Sequence, residues 1–467
     1  MAMTLRDSAG SRNGRWSGLL CSLAVVCLCA ADSRAQGKSE VERPDVRYLD
    51  NGVVRVGVDL ELGGAITYLA DSKERVNLVN NFDWGRQIQM SFYSGPKPFE
   101  PKGKKPRREW AHLGWNPIQA GDCYAHRSKI LEHRTRGGVM YTRCTPMQWP
   151  LENEPGECTF ETWIELSGNT VEVRSRLKNA RSDKTQYAAR DQEVPAIYTN
   201  GPFHRLVTYT GDSPFTGDAV TEIPKKTVRP GEFPWSRWRA TENWAALVRD
   251  DDWGVGVWTP ETCHYIGGFS GKPGQGGTRD VPTGYMSPLQ IEVLDHDITY
   301  EYRYVLILGD LDAIREYVYE KAIKRAPPRY VFKQDRQHWF FRNATDKGWP
   351  IKGELHVDLA GDDPHLIGPA RCWRAEDAPK IFIHAACRSR KPQARVFWKT
   401  LGDADFTEQK SLPLLLRGTG RYRRYDLDLS SSPHYKGLIT GLRFDPVPSG
   451  RQGDYLKLRS ISLRKRR

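Results

Sequence analysis

The chain has 467 residues and a formal net charge of +13, with 70 Lys and Arg against 57 Asp and Glu. That length excludes a single ordinary domain and suits two or three. Beyond the first 35 residues no stretch is long and apolar enough to be transmembrane, which argues against a helical membrane protein.

Arg6, Arg12 and Arg15 form a positive opening, Leu19 to Ala31 an apolar stretch too short to span a bilayer comfortably, and Ser33-Arg34-Ala35 a small-x-small cleavage site. Residues 1–35 therefore read as a secretory signal peptide, and the mature protein as secreted or periplasmic. A lipoprotein reading built on Cys27 or Cys29 ranks lower, because neither follows the usual small residue. Removing the leader lowers the net charge from +13 to +11. A basic exported protein suits acidic partners such as uronate-bearing or sulfated polysaccharides, although the scattered charge equally fits a generally basic proteome. No nucleic-acid module is recognisable, so nucleic acid is not expected as a partner.

Six cysteines remain after the leader: Cys123, Cys144, Cys158, Cys263, Cys372 and Cys387. None forms a C-x-x-C metal spacing, so no metal site is expected on them. An even count outside the cytoplasm permits disulfides, and Cys372–Cys387 is the obvious local pair.

In the mature chain, Val54, Val56 and Val58 alternate with Arg55, Gly57 and Asp59, the period of a strand with one buried face. Gly63-Gly64 supplies a turn, Ala65 to Leu69 a returning strand, and Ile88 to Tyr93 a third. Pro96 to Arg108 is a Pro/Lys-rich exposed loop. It is followed by Trp110, His112, Trp115, Asn116, Gln119 and Asp122, crowded between Gly and Pro residues. Aromatics beside planar polar groups offer what a sugar ring needs, a flat face and hydrogen bonds; a loop pinned by buried tryptophans is the equal alternative. Strands return around Ser167-Gly168-Asn169, where Glu161 and Glu165 read as a mostly solvated face and weak catalytic candidates.

Residues 186–205 are the densest chemically. Arg190, Asp191, Gln192 and Glu193 stand together between apolar flanks, followed by Tyr198 and His204. Such a run needs either water or a polar cleft in which each group has a partner; a surface salt-bridge cluster carries about equal weight. Further on stand Glu242, Trp244, a hairpin from Trp244 to Trp258, Glu261, and a Gly-rich loop from Gly267 to Gly277 at the expected edge of the site. Leu311 to Lys324 is the convincing helix, ended by Pro327-Pro328, which marks a domain boundary. Short alternating strands from Ile351 to Leu463 then form a second β-sandwich of about 130 residues. The reading is all-β: a signal peptide over 1–35, a first β domain over 36–326 and a second over 327–467, with one short helix at the boundary.

The run NGVVRVGVDLELGGAITYL, followed by an Asn/Asp-rich loop and GRQIQMSFY, resembles the opening of galactose mutarotase-like β-supersandwich domains. That resemblance implies work on carbohydrates, as epimerase, glycosidase part, lyase part or binding module, with the middle strands lining a sugar-holding concave face. The mutarotases' own catalytic His and Glu contexts are absent, so their residue roles do not transfer. The C-terminal pieces Tyr425–Leu429, Gly437–Pro446 and Gly453-Asp454 resemble jelly-roll carbohydrate-binding-like modules of secreted bacterial polysaccharide enzymes. Asp445 and Asp454 there are candidate ligands for a structural Ca²⁺, against the commoner turn-capping role.

Together these point to an exported carbohydrate-active protein. A glycoside hydrolase needs two carboxylates, for which Asp122, Asp191, Glu193, Glu242 and Glu261 are available, with His204 as a further acid–base group. A polysaccharide lyase would use Arg190 and Gln192 on a uronate, with Tyr198 or His204 taking the proton. The basic charge tilts toward the lyase and the abundance of carboxylates toward hydrolysis, which is the preferred reading. Trp115, Asn116, Trp244 and Trp258 complete the expected substrate-binding set. A non-catalytic glycan-binding envelope protein is the competing class, since fold alone licenses no enzyme.

Overall fold

The structure is a computed structural model that describes residues 45–229, 232–322 and 327–465. The expected leader lies outside the described residues. The architecture is nearly all β.

A three-stranded sheet opens the first unit. Val46–Asp50, Val54–Asp59 and Ala65–Asp71 pair antiparallel, with Val54, Val56 and Val58 buried as their alternation requires. Gly63 and Gly64, at φ of 60° and 79°, make the turn between the last two, a backbone conformation that costs other residues more.

Two large antiparallel sheets then pack face to face. One has nine strands, in the order Thr221–Glu222, Arg205–Thr208, Trp244–Val248, Trp253–Trp258, Thr299–Asp310, Thr170–Asn179, Cys158–Ser167, Val139–Thr145 and Lys129–Arg136. The other has seven: Ser236–Arg239, His264–Ser270, Thr283–Glu292, Arg190–Asn200, Gln89–Ser91, Pro117–Ile118 and Met147–Gln148. Phe160, Val173, Leu306 and Tyr302 of the first meet Met90, Val194, Ile197, Tyr265 and Met286 of the second in one continuous core. Phe92 sits at its centre, edge-on to Phe160 and Tyr300.

The outer faces of these sheets are covered differently. Helix Leu311–Ala322 lays Ile314 and Val318 on the nine-stranded sheet, against Trp244, Ala246 and Ile307. Gly256 permits this approach: a Cβ there would stand 2.6 Å from Ile314. Loops and the second unit cover the seven-stranded sheet instead, and that face carries the site described below. Gly267 and Gly268 lie within its strand His264–Ser270 and not in a loop, because that strand runs close to Pro234 and to the backbone of Tyr285–Met286.

The second unit is a sandwich of two six-stranded sheets, with Leu355, Ile383, Val396, Trp398, Leu442 and Leu458 among the residues of its core. Ala189 and Val293 of the first unit belong to the same apolar cluster, so the two units share packed surface. Arg336 pins them, bridging Asp346 of its own unit and Asp295 of the other at 2.6 Å each. No disulfide joins any pair of the six cysteines among the described residues, so the expected Cys372–Cys387 bridge is not formed there. Cys387 lies buried within strand Lys380–Arg388, where burial pushes its thiol up to about 12 and keeps it a thiol. Asp445 is ion-paired with Arg443 at 2.7 Å, and Asp454 accepts from Ser389 Oγ at 3.0 Å and from Arg451 N, so both carboxylates are engaged within the protein.

Candidate active site

Strand Arg190–Asn200 is buried along its whole length, so the four adjacent polar residues are not a surface cluster. Alternation separates them into two pairs. Arg190 and Gln192 share the side of core residue Val194 and bond to backbone, while Arg190 Nη2 is buried without a hydrogen-bond partner among the described residues. Arg190 Nη1 donates to the carbonyls of Ser94, at 2.9 Å, and of Leu113. Gln192 accepts from Tyr93 N at 2.8 Å and donates to Tyr93 O at 2.9 Å, continuing a ladder with its side chain.

Asp191 and Glu193 face the outer side. The register slips between Glu193 and Ile197, around Pro195, which has no N–H to donate. The slip returns Ala196 and Tyr198 to the outer side as well. Glu193 therefore stands among Tyr93, Tyr198 and Tyr285. The Tyr285 hydroxyl donates to one carboxylate oxygen at 2.6 Å and the Tyr93 hydroxyl to the other at 3.0 Å. Burial raises the Glu193 pKa above the ordinary carboxylate value, although the two phenols and Arg237 pull it down. The same desolvation, together with the nearby Glu193 charge, drives the Tyr93 and Tyr285 phenols well above their usual range. Asp191 is ion-paired with Arg237 at 2.7 Å, through Oδ2.

Glu193, Tyr93, Tyr198, Asn116 and Trp149 line a cavity of about 20 Å³, room for roughly one water. Phe233 bridges the two aromatic groups that surround it, Trp110 and Trp149 on one side, Trp235 and Tyr285 on the other. In its lining Asn116 Oδ1 and Trp149 Nε1 are buried without a hydrogen-bond partner among the described residues, as are Asp191 Oδ1 and Arg86 Nη2 outside it. An unmet buried group costs about 1–3 kcal/mol, so the two in the lining mark a place for water. Arg86 is fully buried, with Nε 3.1 Å from Asp83 Oδ2 and Nη1 donating to Val281 O.

The other sequence candidates lie elsewhere or serve other ends. Trp115 is core, 1% exposed, and presents no face to a ligand. Asp122 organises a turn, accepting from the amides of Tyr124, His126 and Asn153 and from the His126 ring. Glu242 is fully buried and receives Arg315, Tyr319, Trp244 Nε1 and Phe215 N, tying the helix to the sheet. Trp244 packs under that helix. Trp258 lines a separate depression with Trp163 and Tyr317 on the nine-stranded sheet. His204 turns to Pro202 O and Asp250, and Glu261 contacts Gln290 and His338 at the domain interface. Among the described residues no group of three or more His, Cys, Asp or Glu is placed to hold a metal ion.

Tyr93, Tyr285, Arg237, Trp235 and Arg86 were missed from sequence. Gln89, Ser91 and Tyr93 did carry a signal, since polar residues alternating through an apolar strand must meet partners on its second face. Tyr285 and Arg237 carried none, because only pairing across the sheet brings them to Asp191 and Glu193.

No family model matches the chain, and no curated protein matches it. Among solved structures it is similar to a galactose mutarotase-like protein from Lactobacillus casei ATCC 334, at 11% identity and TM-score 0.36, over 56% of this chain and 99% of that one. It is similar to a putative aldose 1-epimerase from Escherichia coli K12, at 13% identity and TM-score 0.36, over 57% and 99%. It is also similar to a low-affinity xylan-binding module from Roseburia intestinalis, at 12% identity and TM-score 0.22, over 30% and 96%. Galactose mutarotase-like proteins and a carbohydrate-binding module, the two kinds the sequence resembles, are thus both among the solved structures similar to it.

Proposed function

We propose that this is an exported carbohydrate-active enzyme that hydrolyses a glycosidic bond, with Glu193 as proton donor and Asp191 as its partner carboxylate. The observation that carries the reading is Glu193 itself, a carboxyl raised by burial, held by two phenols and ringed by aromatic side chains. Its environment differs from that of Asp191, which faces a guanidinium, and two carboxyls in contrasting surroundings divide acid and base roles between them. Residues two apart on a strand stand about 7 Å from each other. That backbone spacing is compatible with the roughly 6.5–9.5 Å between carboxyls that leaves room for a water in an inverting hydrolase. In this scheme Glu193 gives its proton to the glycosidic oxygen as the C1–O bond breaks. Asp191 takes a proton from the water that adds to C1, and proton exchange with solvent restores both groups.

A lyase is less well supported. Of its charge-neutralising pair, Gln192 and Arg190 Nη1 are held by backbone on the core side of the strand, and His204 is turned to Asp250. Recognition without turnover is favoured by one observation: the cavity at Glu193 is about 20 Å³, against roughly 300–1,000 Å³ for ordinary ligand pockets. Catalysis requires the aromatic cover at Phe233 and Trp235 to open.

The test is a panel of neutral, uronic and sulfated glycans, read for new reducing ends and for absorbance of unsaturated products. Reducing ends without unsaturated products are expected, with a loss of at least about 100-fold in Glu193→Gln and binding retained. Unsaturated products would establish the lyase, and binding with no product from any glycan would leave recognition as the function.

A further inference from the structure

A second, larger cavity, of about 540 Å³, lies between the two units. Its floor is the same outer face of the seven-stranded sheet that carries Glu193. Leu289 and Ile291, which belong to that floor, are the registered cross-strand partners of Glu193 and Asp191. Adjacent strands are about 4.8 Å apart, so the floor begins one strand away from the proposed acid–base pair. Arg239 and His264, paired across their strands, extend it, and the second unit supplies the opposite wall with Arg342, Lys399, Phe406 and Arg443.

The charge of this cavity is unbalanced. Arg443 is ion-paired with Asp445 and Asp363. Arg239, Arg342 and Lys399 have no carboxylate within ion-pair distance among the described residues, and Asp405 is the one acid in the lining. Arg239 Nη1 is buried without a hydrogen-bond partner there. Arg239 and Lys399 come from different units and sense each other: burial first, and then the Arg239 charge, lower the Lys399 pKa against the opposing pull of Asp405 and Asp403. His264, desolvated and flanked by Arg239, Arg237 and Lys399, is held well below its usual range, so it adds a neutral ring to the site. Like charges brought together across a domain interface are unfavourable unless an anion lies between them. Phe340 and Phe406 add apolar ring faces beside the cations.

We propose that this interdomain cavity binds the anionic groups of an acidic oligosaccharide, uronate carboxylates or sulfate esters, with Arg239, Arg342 and Lys399 as its anchors. The saccharide part rests on the reading of the Glu193 recess, which the chain of the same ligand would reach one strand away.

The experiment is calorimetric titration of the full chain with a galacturonate hexasaccharide, a sulfated hexasaccharide, an uncharged hexasaccharide and sodium sulfate. At least one acidic hexasaccharide should bind 10-fold or more tighter than the uncharged one, weakening as salt rises, and the tighter of the two identifies the anionic group. Arg239→Gln and Lys399→Met, one from each unit, should each weaken it about 10-fold. Lys399→Met should also raise Tm, because it removes a like charge facing Arg239; a merely structural lysine would lower it. Equal affinity for charged and uncharged hexasaccharides overturns the proposal. So does sulfate alone binding as tightly as either acidic hexasaccharide, or native affinity in both variants. Acidic binding with no turnover of any glycan defeats the hydrolase reading alone, whereas turnover of neutral glycans without acidic binding defeats this one alone.

Discussion

Glu193 and Glu242 are both fully buried, both stand beside a tryptophan or tyrosine, and both were catalytic candidates on sequence. Their surroundings differ in one respect. Glu242 receives a bidentate guanidinium from Arg315 at 3.0–3.1 Å, a phenol, an indole N–H and a backbone amide. Every lone-pair direction is taken by a partner belonging to the fold, and the group fastens the helix to its sheet. Glu193 receives two phenols, and unmet polar atoms and a cavity lie beside it. A buried carboxylate with a cation and a full set of donors is a structural fixture, whereas one that lacks a contacting counter-ion and adjoins empty space is suited to move a proton.

The largest effect that tests this contrast is Glu242→Gln. It leaves the largely buried Arg315 without its counter-charge, for an expected loss of about 3–5 kcal/mol in denaturant unfolding. Glu242→Met combined with Arg315→Met should recover most of that loss, because two apolar groups replace a pair instead of stranding one charge. A loss below about 1 kcal/mol in Glu242→Gln would break the comparison.

Tyr285→Phe should have a smaller effect, about 1.5–3 kcal/mol, by removing the shorter of the two phenol bonds to Glu193. The same variant should raise the Glu193 pKa further, since a bond that favoured the carboxylate is gone. An unshifted Glu193 resonance in a carbon-detected pH titration would count against the assigned network.

The subtlest effect is on pH dependence. The folded pKa of Glu193 lies above its ordinary value of 4.5, chiefly through desolvation. Its contribution to stability is therefore fully present below about pH 4.5 and is lost as pH rises through the folded value. Glu193→Gln has no such group, so the difference in Tm between it and the native chain should move in the variant's favour over that window. A constant difference from pH 4 to pH 8 would mean that Glu193 is not perturbed.

Much of the fold was legible because local rules were decisive. The valine alternation at 54–58, the glycine turn at 63–64 and the helix starting at Leu311 follow from side-chain period and backbone freedom alone. Strand Thr283–Glu292 was not legible, because a strand buried on both faces shows no alternation, and Gly267-Gly268 looked like a loop. The polar run 190–193 was visible as an anomaly. Alternation could already have divided it into Arg190/Gln192 and Asp191/Glu193, but it could not say which side was core.

What the sequence by itself determined is the all-β character and a concentration of polar residues at 190–193; each depends on neighbours within a few residues. What only the tertiary structure decided is which polar groups meet. Tyr93 and Tyr285 reach Glu193 across 100 and 92 positions, and Arg239 faces Lys399 from another unit. Trp115, Asp122 and Glu242 were drawn instead into packing, turn and helix contacts. A residue's type fixes what it can donate, accept or stack upon; burial and cross-strand register, which depend on the whole chain, fix whether a partner is already there.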